Sequence, residues 1–257
     1  MLQRKGILAG TVRPALQVVV SMGDATVAAL VGGEPDCAVL DVAPTGEGLP
    51  LAAARNAGAE YAIAQGADVL IFLDIDCVPD RQLVHRYRDS CQDLAEPALY
   101  SGAVCYLPPP GSAGYDLKRL PELASPHPAR PAPAADELVP DGDWRLFWSL
   151  SFALSVPTWR AIGGFCESYV GYGGEDTDFG QQAEKAGIDL RWIGGARAYH
   201  QYHPATSPPT QHLADILRNG RIFRDRWGWW PMQGWLSDFA TAGLIEHLPE
   251  SDDWRLV

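Results

Sequence analysis

Five consecutive large apolar residues, Val69-Leu70-Ile71-Phe72-Leu73, run into two carboxylates one residue apart, Asp74 and Asp76. A short unbroken apolar run bounded by polar residues reads as a strand covered on both faces, as in the sheet of an α/β domain. On an extended chain, residues i and i+2 share a face, so both acids are expected to point the same way. Ligands of open α/β sheets bind at the carboxyl ends of strands. A divalent cation held there by one or two carboxylates keeps positions open for phosphate oxygens. A solvated strand end before a Pro79-Asp80 turn would leave the same pattern. Short D-x-D motifs also occur by chance, so the rest of the chain must decide.

The order of elements narrows the fold. Residues 15–22 are a valine-rich run closed by Gly23-Asp24, a first strand. Residues 25–31 suit a helix, and residues 37–42 a second strand with Asp41 near its end. Residues 51–65 are alanine-rich with a helical period and stop at Gly66, a favourable residue just past a helix end. The strand ending at Asp74 and Asp76 follows, then a helix over 81–94 and a strand over 99–107. Strands alternating with helices predict an α/β, Rossmann-like fold. Its central sheet is expected to be mostly parallel and flanked by helices, in a single domain over residues 1–257.

Composition excludes several classes. The chain of 257 residues carries a net charge of −12, which argues against a nucleic-acid partner. No stretch has the apolar length of a signal peptide or a membrane span. Five scattered cysteines without metal-type spacing suit reduced thiols and a cytoplasmic location. Residues 108–143, headed by Pro108-Pro109-Pro110, break the alternation and cannot form a continuous helix or strand. They are expected to form a mobile loop, either a lid over the Asp74/Asp76 end of the sheet or an inert insertion.

A second region is dense in chemistry. Gly163-Gly164-Phe165 is followed by Gly171-Tyr172-Gly173-Gly174-Glu175-Asp176-Thr177-Asp178, at the start of a helix reaching about Ala186. Glycines allow tight turns and close approach of backbone to a ligand. Acids at a helix start complement its dipole, but three in four residues exceed what one cap needs.

This segment resembles the galactosyltransferase C-terminal motif of family 7 glycosyltransferases and of related family 2 and family 27 enzymes, all of the GT-A fold. Upstream, Ala54-Arg55-Asn56-Ala57-Gly58 followed by Leu73-Asp74-Ile75-Asp76 is similar to the family 2 pattern. Downstream, Arg197-Ala198-Tyr199-His200 resembles the strand whose histidine completes the metal site. Phe223 to Pro231, with Trp227-Gly228, resembles the family tail. The resemblance spans residues 15 to about 235, with the Pro-rich stretch as a gap.

The resemblance implies a metal-dependent hexosyl or N-acetylhexosaminyl transfer from a nucleotide sugar, UDP-linked by family expectation, to a hydroxyl acceptor. Residues 15–107 would hold the nucleotide sugar, and residues 144–257 the acceptor and the C-terminal helices. Mn²⁺ or Mg²⁺ would be bound by Asp76 and by His200 or His203, with Asp74 reaching the ribose or the ion through water. Ser21, Asp41, Arg55 and Asp74 would bind nucleotide. Asp176 would take the acceptor proton and Glu175 would bind sugar hydroxyls. Tyr172, where the family commonly has tryptophan, would meet the acceptor with Gly173 and Gly174. Asp176 favours inversion, because the retaining family 27 enzymes commonly lack an acid there. The acceptor could be a glycan, a lipid-linked molecule or a small molecule.

Four of nine tryptophans fall between Trp227 and Trp235, after a helix carrying Arg218, Arg221, Arg224 and Arg226. Core-covering packing explains such a cluster, and peripheral membrane contact is the other reading. A glycoside hydrolase would account for paired acids but not for the strand-end aspartates and the later histidine. An inactive sugar-nucleotide-binding protein would share the fold without the full set of acids.

Overall fold

The alanine-rich stretch shows how directly local chemistry sets the local structure. In the computed structural model it forms α3 (Leu51–Ala64), the third helix after α1 (Leu2–Leu8) and α2 (Thr26–Val31). Gly66 follows at φ +88°, its N–H bonded to Ile63 O, while Ala67 N–H reaches back to Ala62 O at 3.1 Å. That double closure satisfies carbonyls the helix end would leave open, and the positive φ is why glycine stands there. The structure describes residues 1–31, 36–92 and 97–257.

Strands β1 (Gln17–Ser21) and β2 (Cys37–Asp41) flank α2, and α3 leads into β3 (Val69–Leu73) and β4 (Cys77–Pro79). Next come α4 (Leu83–Gln92) and β5 (Ala98–Tyr106). The helix expected to end at Leu94 is α4, and that end lies outside the described residues. The Pro-rich stretch carries only α5 (Leu120–Leu123) and the two-residue strands β6 (Ser125–Pro126) and β7 (Leu138–Val139). The remainder is β8 (Ser151–Ser155), α6 (Val156–Ile162), α7 (Glu175–Lys185), β9 (Asp189–His200), α8 (Leu213–Trp227), α9 (Gln233–Thr241), β10 (Ile245–Leu248) and β11 (Asp253–Leu256).

The α/β class is as expected, with a central seven-stranded sheet in the order β3-β8-β5-β9-β4 and β6 and β7 added to β5 and β9. Its pairing is mixed rather than mostly parallel. β5 and β9 run parallel, but β8 is antiparallel to β3 and β5, and β4 is antiparallel to β9. A parallel neighbour needs a crossover that carries the chain back to the starting end. The Pro-rich excursion supplies none, so β8 enters from the opposite end. β1 and β2 form a separate parallel pair. β3 is therefore the end strand of its sheet, and only Leu70 in it is fully buried.

Alternate residues face the two layers. Leu99, Phe152, Leu154 and Trp192 pack with residues of α3, α6 and α7 on one face. Tyr100, Ala153 and Ile193 pack with α4 on the other. Phe165 of the glycine-rich loop stacks on Phe179 of α7 at 4.2 Å and meets Phe72 of β3 edge-on at 6.2 Å, which joins the loop to α7 and the sheet. Gly102 and Gly194 permit close backbone crossings. A Cβ on Gly102 would collide with Ala196 O in β9, and one on Gly194 with Ala134 O of the Pro-rich stretch. β5 and β9 change register at this point.

The C-terminal helices and hairpin close around Ile216, Leu217, Trp230, Leu236, Phe239 and Ile245. All four arginines of α8 pair with acids of the chain: Arg218 with Asp215, Arg221 with Asp253, Arg224 with Asp225, and Arg226 with Asp178. Among the described residues no helix is long and apolar enough to cross a membrane.

Candidate active site

Asp74 and Asp76 do not lie on an extended chain. They occupy a tight turn between β3 and β4, closed by Cys77 N–H on Asp74 O at 2.9 Å. The turn parts the two carboxylates, so they do not share a face as an extended strand would require. Asp74 Oδ1 accepts from Arg55 at 3.1 Å, whereas Asp76 Oδ2 lies 3.2 Å from His200 Nε2. Gln3 of α1 pins the turn, donating to Asp74 O at 2.6 Å and Cys77 O at 3.1 Å. Nothing periodic in the sequence marks Gln3. Only the packing of α1 against β4 brings it there.

His200 ends β9 directly opposite Cys77 of β4, which fixes it beside Asp76. His203 Nε2 stands 3.8 Å from the same carboxylate oxygen and is more than half exposed, whereas His200 is buried. Ligating atoms of Asp76, His200 and His203 lie within 4.8 Å of one another. Asp76 Oδ1 is buried without a hydrogen-bond partner. A carboxylate with one buried unpartnered oxygen, whose other oxygen faces two imidazoles, is a donor set that fits a divalent cation. Burial raises the carboxyl pKa of Asp76, but His200 outweighs it and holds Asp76 below the ordinary range. Asp74 is not part of this cluster.

Arg55 of α3 links the turn to the second motif. Its Nη1 donates to Glu175 Oε1 at 3.2 Å while Nη2 holds Asp74. Burial works against its charge, but the two carboxylates keep its pKa above the ordinary value. The adjacent Asn56 grips the glycine-rich loop, donating to Phe165 O at 2.9 Å and accepting from Phe165 N at 2.8 Å. The Arg-Asn pair on one helix thus clamps two segments far apart in sequence.

The three acids of α7 do three different things. Glu175, buried, serves Arg55. Asp178, fully buried, accepts from Tyr169 Oη at 3.1 Å, Arg226 Nε at 2.7 Å, Trp227 Nε1 at 2.6 Å and Gln182 Nε2 at 2.9 Å. It ties α7 to α8 and is occupied by structure. Asp176 is half-buried and, among the described residues, accepts only from the neighbouring Thr177, with N–H at 2.7 Å. Burial first, then the nearby Glu175, push its pKa up to about 7, against the pull of Arg55. A helix N-terminus ordinarily lowers an acid's pKa. Here burial wins, and the side chain has the affinity of a proton acceptor near neutrality.

The other expected residues fall at the ends of β1 and β2 and in the glycine-rich loop. Ser21 and Asp41 are register partners at the ends of β1 and β2. The Ser21 hydroxyl is engaged with Asp24, while Asp41 is exposed, with Gly23 N–H 3.4 Å away. Tyr172 is exposed and stacks flat on His212 at 4.3 Å, with Trp235 at 6.0 Å. Gly173 and Gly174 have φ of +89° and +93°. Asn219 of α8, absent from the sequence reading, donates to Val170 O, Tyr172 O and Gly173 O at 3.0, 3.2 and 2.8 Å. It holds the loop in shape, and no local signal in the sequence points to it.

Residues 129–204 match the family described as the N-terminal domain of galactosyltransferase. The validoxylamine A glucosyltransferase of Streptomyces hygroscopicus subsp. jinggangensis (strain 5008) is 29% identical, over 60% of this chain and 40% of that protein. The enzyme of the same name from subsp. limoneus is 29% identical, over 60% of this chain and 38% of its own length. This chain thus spans well under half the length of those relatives. A crystal structure of GalNAc-T7 with UDP, GalNAc and Mn²⁺ superposes with a TM-score of 0.53 at 17% identity, covering 86% of this chain and 47% of that one. The mixed sheet with helices on both faces is the GT-A fold of that structure, and the matched segment and these relatives make the chain similar to glycosyltransferases.

Proposed function

We propose that the chain transfers a hexosyl or N-acetylhexosaminyl group from a uridine-diphosphate sugar to a hydroxyl acceptor, with inversion at the anomeric carbon. The observation that carries this reading is the meeting of His200 and His203 at Asp76 Oδ2, with Asp76 Oδ1 buried and unpartnered and Arg55 joining the same turn to Glu175. The Asp76, His200 and His203 set would hold Mn²⁺ or Mg²⁺, which supplies the positive charge a departing diphosphate needs. Arg55 presents a guanidinium already oriented by two carboxylates. Glu175 uses Oε1 on Arg55, leaving Oε2 for sugar hydroxyls. Asp41 offers an open carboxylate to the nucleoside. Asp176 accepts the acceptor's proton as its oxygen bonds to the anomeric carbon and the sugar–phosphate bond breaks. The flat Tyr172–His212 stack offers a face for the acceptor ring. The glucosyltransferase relatives and the UDP- and Mn²⁺-containing neighbour support the donor class.

Calorimetry of UDP binding tests the reading. With Mn²⁺ present, affinity should exceed that in EDTA by at least about tenfold, a charge-assisted contribution, and Asp76→Ala should abolish the difference. Equal affinity in both buffers would remove the metal assignment.

Residues 108–119, mostly exposed, are the part of the Pro-rich stretch that could close as a lid. Tyr115 Oη already receives Tyr202 N–H at 3.2 Å, next to His203. Residues beyond it are anchored, with Leu120 buried and β6 and β7 paired to the sheet. Tryptic cleavage after Lys118 or Arg119 should slow when UDP and Mn²⁺ are added. Unchanged cleavage would make the stretch an inert insertion.

A further inference from the structure

Arg130 of the Pro-rich stretch is 8% exposed, and its guanidinium lies between two indole rings, 5.0 Å from Trp148 and 5.0 Å from Trp192. Nη2 donates to Ser101 Oγ at 3.1 Å, and Nε is buried without a partner. Among the described residues no carboxylate pairs with it. The chain does not lack acids, with 32 against 20 basic residues. Other buried arginines have them: Arg4 pairs with Asp36 at 3.0 Å, and Arg55 with Asp74 and Glu175. Asp176 acts on Arg130 only through space, and a buried cation without a contacting counter-charge is costly; stacking on indoles recovers only part of that cost.

The surroundings show where a counter-charge could enter. Half-buried Trp148, His127 and Tyr106 form a chain of rings above Arg130, with His127 4.9 Å from Trp148 and 5.8 Å from Tyr106. Tyr106 in turn stacks on His200 at 4.8 Å. The rings of Trp148, His127 and Tyr106 therefore form a continuous path from the guanidinium to His200 of the candidate metal centre. In the function proposed above, Arg55 and the Asp76 cluster already serve the diphosphate of a donor. We infer that Arg130 is the floor of an anion pocket, so that one of the two substrates carries a carboxylate or phosphate besides the donor's diphosphate. The inference rests on the transferase reading above. The anion could come from a uronic acid on the donor or from an acidic group on the acceptor.

Paired probes separate the two sources. The donor arm compares UDP-glucuronate with UDP-glucose in the presence of Mn²⁺. The acceptor arm compares glucuronate and glucose 6-phosphate with glucose, without nucleotide. By calorimetry on the full chain, the acidic member of one pair should bind at least about tenfold more tightly, the scale of a charge-assisted contact. Arg130→Gln should erase that preference while leaving UDP affinity with Mn²⁺ unchanged. The arm that responds identifies the source. No preference in either pair, or a preference that survives Arg130→Gln, overturns the inference. Should Arg130→Gln fail to fold, Arg130→Lys keeps the charge without the planar fork and should reduce the preference. The wild-type comparison alone can still refute the pocket. UDP affinity reports separately on the transferase reading, and the acceptor arm does not depend on it.

Discussion

Asp176→Asn is expected to lower turnover by about 10²–10⁴-fold while leaving Mn²⁺-dependent UDP affinity nearly unchanged. The amide keeps the size and the contact to Thr177 N–H but cannot take a proton. The raised pKa of about 7 adds a pH signature. The carboxylate must be ionised to act as base, so wild-type kcat/KM should rise with pH through about 7 and level off above it. The stability effect has the opposite sign. A carboxyl whose folded pKa lies above the unfolded value of 3.8 stabilises the native state at low pH, and that contribution is lost as pH rises toward 7. Above pH 7, Asp176→Asn should therefore be at least as stable as wild type, which separates lost chemistry from lost folding. Near-wild-type turnover in the variant, or a product that retains the donor's configuration, would move the proton to another group and favour the retaining mechanism.

Asp178→Ala should cost about 3 kcal/mol of stability, read from urea unfolding. The substitution leaves the Tyr169 hydroxyl, the Trp227 indole N–H and the Arg226 guanidinium without their shared acceptor. Arg226 is partly exposed, so water recovers some of the loss. Asp178→Asn keeps part of the hydrogen bonding and should lose less. A loss under about 1 kcal/mol for Asp178→Ala would mean that α7 and α8 are joined mainly by apolar packing. Two acids one helical step apart are thus expected to fail in different ways, Asp176 in chemistry and Asp178 in folding.

Local chemistry made much of this molecule legible from the chain. The alanine run closed by Gly66, the strand before Asp74 and the glycine-rich approach to α7 all depend on residues within a few positions, where propensity and capping act. The strand ending at His200 and the order of the motifs were equally readable, because a resemblance to known transferases is itself a pattern in sequence. What each acid does was not readable. Glu175 and Arg55 meet across 120 positions and Arg226 and Asp178 across 48, so burial and partner choice alone assign Asp178 to structure and leave Asp176 with only its neighbour Thr177 as a donor among the described residues. The turn that parts Asp74 from Asp76 depends on α1 docking through Gln3, at 71 and 74 positions' remove. The mixed pairing of the sheet likewise follows from where the Pro-rich excursion returns. Periodicity decides which residues can form a strand, whereas its direction and partners are decided by long-range closure of the chain around a common core.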